Sequence, residues 1–170
     1  PHGHLAPQTL ATHCVQPQPL QQRFLRVMRI AVHPAIRRKG AASALLRKLA
    51  STAEEGIDTI CTSFGASSDL MAFWRINGFR PVRIGLTRDA SSGSHSVLML
   101  QSATENGKQL LQLAQRRFLK QFPLLLSDSL KFLDTEILLP LLHDAEHNSD
   151  LSSASKQLLN RYAAEKLPFD

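Results

Sequence analysis

The residues best suited to chemistry are Arg37-Arg38-Lys39-Gly40-Ala41-Ala42-Ser43, in which three cations are followed by a glycine and three small side chains. If a helix starts after Gly40, its first amides have no intrahelical acceptor and point outward with the positive end of the helix dipole. That arrangement is a seat for a phosphate or diphosphate, and Gly40 lets the ligand come close to the backbone. His33 stands just upstream, before Pro34. An imidazole, with an ordinary pKa of ~6.5, can take a proton near neutrality, so His33 is the candidate general base and His95 a second one.

The flanking elements suit this role. From Phe24 to His33 the residues alternate, with Phe24, Met28, Ile30 and Val32 on one face and Leu25, Val27, Arg29, Ala31 and His33 on the other. This predicts a strand that Pro34 ends, because proline has no N–H to give. After Gly40 the period changes: Ala42, Leu45, Leu46, Leu49 and Ala53 share one face of a helix, with Arg47 and Lys48 toward water. Arg37-x-x-Gly40-x-Ala42 fits a (Q/R)-x-x-G-x-(G/A) pattern in the strand-loop-helix context that its mechanism needs.

The chain has 170 residues, 43% of them hydrophobic, which is enough for one good core and part of another. No apolar run approaches the ~18 residues of a membrane span, and the first ten residues have no signal-peptide character. The expectation is a soluble piece of a longer protein. Cys14 and Cys61 fit no metal spacing, which points to a reducing, cytoplasmic setting and no bound metal. Of the net charge of +6, residues 1–100 hold 12 Lys/Arg against 5 Asp/Glu, and residues 101–170 hold 8 against 9. The positive half is the one with the phosphate seat, as an anionic ligand requires.

Along the chain, Thr9–Cys14 reads as a short strand followed by the loop Gln16-Pro17-Gln18-Pro19. Glu54-Glu55-Gly56 ends the first helix, and Ile57–Ser63 is a strand parallel to the first, since a helix joins them. Ser67 or Ser68 caps a second helix that has Asp69 in its first turn and Asn77-Gly78 at its end. Phe79–Leu86 and Ser94–Leu100 are strands joined by the polar loop 87–93. From Thr104 the pattern is helical, with a stripe of Leu111, Ala114, Phe118 and Phe122 beside the basic Arg116, Arg117 and Lys120. Apolar segments Leu124–Leu142 and Leu151–Leu167 follow, forming a helical appendage.

Three passages give this order a family resemblance: Arg29-Ile30-Ala31-Val32-His33-Pro34, Ser63-Phe64-Gly65, and Phe73-Trp74 through Asn77-Gly78-Phe79 to Arg88-Asp89-Ala90-Ser91-Ser92-Gly93. With them the sequence resembles the bacterial tRNA(Met) cytidine acetyltransferases of the GNAT superfamily. The resemblance implies an α/β GNAT-like fold, here the C-terminal half of the domain with a mixed sheet. It places a partial acetyltransferase domain at 1–101 and a helical tail region at 102–170. Carried over by resemblance, the acetyl-CoA contacts are Ile30, Ala31, Val32, the run Arg37, Arg38, Lys39, Gly40, Ala41, Ala42 and Ser43, and Asp69. Arg75 joins them because it stands one place from Ile76, where the family pattern has an Arg.

The implied reaction moves acetyl from acetyl-CoA to the 4-amino group of the wobble cytidine of elongator tRNA(Met). The parent protein would use ATP in a module outside this chain, which has no Walker A sequence. An open strand edge at Ile30–Val32 would hold the pantetheine arm, and a backbone N–H there would polarise the thioester. The cytidine amine is neutral but poorly nucleophilic, so alignment and a route for its proton are what the protein must supply. The Tyr that many GNAT enzymes use as an acid has no counterpart near the site, since Tyr162 lies in the tail. Arg80, Arg83 and Arg88 are the candidate RNA contacts, whereas Phe73 and Trp74, at helical spacing, read as core. The alternatives are a GNAT enzyme acetylating a protein or small amine, and a non-catalytic module that binds CoA or RNA.

Overall fold

Four strands, Phe24–Val27 (β1), Thr59–Gly65 (β2), Arg80–Arg88 (β3) and His95–Ser102 (β4), make one mixed sheet in the order β1-β2-β4-β3. The computed structural model that shows this describes residues 5–14, 21–52, 56–90 and 92–143. Among the described residues five α-helices accompany the sheet: Leu5–Cys14 (α1), Ala41–Thr52 (α2), Ser68–Ile76 (α3), Glu105–Ser127 (α4) and Thr135–Leu142 (α5). β1 and β2 are parallel and joined through α2, while β3 and β4 form an antiparallel hairpin, as the order of elements predicts.

Each face of the sheet has its own apolar cluster. One joins Leu46 of α2, Ile60 of β2 and Met71 and Trp74 of α3 to Phe79, Val97 and Met99. The other sets Ala6 and Leu10 of α1, with Leu110 and Ala114 of α4, against Cys61, Leu98 and Leu100. The later part of α4, through Phe118 and Phe122, belongs to the first cluster together with Ile137 and Leu141 of α5. Trp74 is the aromatic hub, with ring centroids 4.8 Å from Phe79, 5.3 Å from Phe73 and 5.9 Å from Phe64. Asp58 ties the starts of three elements: its carboxylate accepts from the Arg23 amide at 3.1 Å and the Thr104 hydroxyl at 2.8 Å, and its carbonyl accepts from the Ala103 amide.

Four expectations are corrected. Thr9–Cys14 is helix, not strand, because Ala6 and Leu10, one turn apart, are both buried against the sheet, and tertiary burial overrides local strand propensity. The first strand stops at Val27 instead of His33. Its last partner is Thr62, whose hydroxyl donates to the Val27 carbonyl at 3.3 Å, whereas β2 stays paired with β4 as far as Gly65↔Ser96. The two parallel strands therefore splay.

The expected alternation slips at that point as well. Leu25, Val27 and Ile30 pack toward the same cluster and Phe24 toward the other, so one residue of phase is lost between Val27 and Ile30, and Met28 is left 75% exposed. The fourth correction is Leu45, expected on the inner face of α2 but 59% exposed beside Met28, because Leu46 and Leu49 take the contacts with the core.

The polar loop after β3 is a tight turn. Asp89 N–H donates to the Ser94 carbonyl and Gly93 N–H to the Asp89 carbonyl. The expected loop at 16–19, the last apolar segment at 151–167 and Tyr162 lie outside the described residues. Among the described residues no helix is long and apolar enough to cross a membrane, and no group of His, Cys, Asp and Glu is placed to hold a metal ion.

Candidate active site

The segment from Met28 to His33 leaves the ladder and runs into a short 3-10 turn, Pro34–Ile36. Three hydrogen bonds shape the turn: Ile36 N–H to the His33 carbonyl at 3.0 Å, Arg37 N–H to the Pro34 carbonyl at 3.3 Å, and Ala35 N–H to Nδ1 of His33 at 3.3 Å. A fourth, from Arg37 Nε to the Val32 carbonyl at 3.1 Å, ties the loop back to the unpaired segment. Arg38 then takes φ +58°, the sole positive φ outside glycine among the described residues, and Gly40 takes φ +81°.

Helix α2 starts without a side-chain cap. In α3 the Ser67 hydroxyl accepts from the Leu70 amide, and in α4 Thr104 accepts from that of Gly107. At α2 the corresponding position is Gly40, which has no side chain to offer, and the first helical bond runs from Ala44 N–H to the Gly40 carbonyl at 2.9 Å. The amides of Ala41, Ala42 and Ser43 are thus left without an intrahelical acceptor. A Cβ built on Gly40 would meet nothing within 4 Å, so the approach to these amides is open.

These groups face a cleft of about 490 Å³. Of the residues predicted to hold a coenzyme, Ile30, Val32, Arg37, Arg38, Gly40, Ala41, Ala42 and Ser43 line it. No Asp or Glu does, so its charge is that of Arg37 and Arg38. Ala31 and Lys39 are exposed beside it without lining it.

The opposite wall comes from α3 through Leu70 and Phe73, with Ile36 contributing from the turn, and sequence reasoning missed all three. The i, i+3 spacing of Leu70 and Phe73 marks an apolar helix face, but a core face and a cleft wall have the same pattern. Trp74 is buried as expected, whereas the half-buried Phe73 lines the cleft in addition to packing on Trp74.

The remaining predicted residues are dispersed. Asp69 is exposed in the first turn of α3, next to Leu70. Arg75 is at the far end of that helix, where Nη1 donates to the Pro140 carbonyl of α5 at 2.7 Å. His33 is exposed and does not line the cleft. His95 places Nδ1 2.8 Å from the Gly85 carbonyl, so that nitrogen is the donor.

The three arginines proposed for RNA do not form one patch. Nη1 of Arg80 donates to the Arg75 and Phe79 carbonyls, and half-buried Arg83 lines two hollows on the α1 side of the sheet. Arg88 is exposed at the end of β3, opposite His95.

Residues 35–104, which include this loop, helix and cleft wall, match the family GNAT acetyltransferase 2. The chain belongs to the GNAT acetyltransferases. In this GNAT chain the matched region runs from the 3-10 turn to the cap of α4.

Three curated relatives share one name, tRNA(Met) cytidine acetyltransferase TmcA. The protein from Nitrosococcus halophilus is 39% identical over 138 residues, covering 81% of this chain and 18% of the relative. That from Vibrio cholerae is 40% identical over 144 residues, 84% of this chain and 19% of the relative. That from Haloferax volcanii is 37% identical over 112 residues, 66% of this chain and 15% of the relative. The GNAT chain thus spans less than a fifth of the length of each.

Proposed function

We propose that this chain is the acetyl-CoA-binding part of an enzyme that acetylates the 4-amino group of the wobble cytidine in elongator tRNA(Met), giving N4-acetylcytidine. The observation that carries the reading is the pairing of uncapped amides at Ala41–Ser43 with backbone at Ile30–Val32 that has no strand partner, both on one cleft. The diphosphate of the coenzyme fits the first, with Arg37 and Arg38 beside it. The pantetheine arm fits the second, standing in for the strand partner that the backbone of Ile30, Ala31 and Val32 lacks.

The amine's lone pair adds to the thioester carbonyl carbon, forming the C–N bond and moving the π pair to oxygen. Reforming the carbonyl breaks the C–S bond. The nitrogen loses a proton to water, and the departing thiolate takes one up, so no net proton is produced. A backbone N–H on the splayed segment would stabilise the oxyanion. Alignment across the splay supplies much of the rate, because the acceptor is already neutral.

The shared name of the relatives supports a cytidine acceptor over a protein or small amine. Cytoplasmic location and use of ATP by a further part of the parent protein belong to the same proposal and rest on the family resemblance alone. Arg83 and Arg88 are the proposed phosphate contacts for the RNA. Mass spectrometry of tRNA from cells lacking the parent gene tests the reading. Loss of N4-acetylcytidine from tRNA(Met) is expected, and an unchanged level would refute it.

A further inference from the structure

The imidazole of His33 is committed to the loop. Its Nδ1 accepts the Ala35 amide at 3.3 Å, making His33 the side-chain cap of the Pro34–Ile36 turn. A backbone N–H can only donate, so the Nδ1 lone pair is engaged, and in the neutral ring the proton then sits on Nε2. Neither nitrogen is therefore a free acceptor while the turn is formed. The turn in turn sets the coenzyme seat: the residue that caps its end, Arg37, bonds the Pro34 carbonyl through its amide and the Val32 carbonyl through Nε, and Arg38 and Gly40 follow in left-handed conformations.

We propose that His33 is a positioning residue for acetyl-CoA, holding the turn that presents the Gly40–Ser43 amides, and is not the group that removes the acceptor's proton. This rests on the proposed acetyl-CoA site. It also explains why His33 is exposed and does not line the cleft, yet stands beside Val32, which does.

The test uses the full-length protein that contains this chain, with steady-state kinetics and calorimetric titration of CoA. Loss of one capping hydrogen bond in His33→Ala should raise the KM for acetyl-CoA and the Kd for CoA about fivefold, with kcat at saturation within twofold of the parent. In His33→Asn the amide oxygen can accept from Ala35 N–H, although the side chain has no basic nitrogen. It should restore both constants to near the parent values.

A collapse of kcat in both variants with unchanged CoA affinity would overturn the proposal and restore the general-base role. Unchanged constants in His33→Ala would overturn it too, since the cap would then be without consequence. If CoA binds the parent protein but a bulky residue at position 40 leaves its Kd unaltered, the site itself is misplaced and the proposal falls with it. That outcome is distinguishable because it does not involve His33.

Discussion

Replacement of Gly40 by alanine is the most direct test of the diphosphate seat. The residue has φ +81°, and a Cβ there would meet no protein atom within 4 Å. A left-handed conformation costs an L-residue about 1–2 kcal/mol, offset by about 0.4–1 kcal/mol from the stiffer unfolded chain. The net loss of stability is therefore about 1 kcal/mol, a fall of a few degrees in Tm for a chain of this size. Binding should suffer far more. The added methyl occupies the approach to the Ala41–Ser43 amides, and charge-assisted hydrogen bonds are worth about 1.5–3 kcal/mol each. Losing two of them weakens CoA about a hundredfold or more.

Gly93→Ala is the control. Gly93 also has a positive φ, +66°, and a Cβ there would likewise meet nothing within 4 Å, but it lies in the β3–β4 turn outside the cleft. It should show a similar fall in Tm with an unchanged Kd for CoA. Calorimetric titration of both variants, with melting curves alongside, separates backbone strain from blocked access. A Kd for Gly40→Ala within twofold of the parent, while Tm falls as calculated, would refute the placement of the diphosphate.

Arg38, at φ +58°, holds a conformation that glycine adopts without strain. Arg38→Gly should therefore gain about 0.5 kcal/mol in urea unfolding, while losing several-fold in CoA affinity because a cleft cation is gone. Arg75→Ala removes the 2.7 Å bond to the Pro140 carbonyl. It should cost about 1–3 kcal/mol of stability through α3–α5 packing and leave the Kd for CoA unchanged; a large loss of CoA affinity would reinstate Arg75 as a coenzyme contact.

Burial raises the Cys61 thiol from 9.0 to about 11, against a smaller opposing pull from the Arg26 charge. Because the folded value is the higher one, its contribution is complete below pH ~9 and is lost as pH rises from ~9 to ~11, about 2–3 kcal/mol in all. Unfolding curves at pH 8 and 11 should show that loss in the parent protein but not in Cys61→Ala.

What the chain reveals in one dimension depends on how local the cause is. The turn into the helix at Pro34–Gly40, the Ser67 cap and the Asn77-Gly78 stop are written in a few adjacent residues, and the structure has them where expected, although the strand before the turn ends early, at Val27. The uncapped start of α2 was legible for the same reason, since free amides at a helix start need only glycine and small neighbours. The far wall was not. Phe73 touches both Trp74 and the cleft, and an apolar residue at helical spacing cannot say which side is hollow. Arg75 finds its acceptor 65 positions away at Pro140, a pairing that only the docking of α5 creates. α1 is helical because the sheet buries Ala6 and Leu10, not because its sequence insists on it.

The splay of the parallel strands is the deepest of these nonlocal features, and the one on which the proposed chemistry turns. A ladder continued to His33 would satisfy the backbone of Ile30–Val32 with β2 and leave nothing for a ligand. Instead the Thr62 hydroxyl takes the Val27 carbonyl, β1 departs, and β2 keeps its pairing to β4 as far as Gly65. Polar backbone groups in such a gap need water or a ligand as partner, since leaving one buried and unmatched costs about 1–3 kcal/mol. An extended arm with its own amides meets that need in the way a strand would. The single residue of phase lost between Val27 and Ile30 then has a use: it turns Ile30 and Val32 toward the cleft that Gly40 and Ser43 also line, so arm and diphosphate are held along one continuous path.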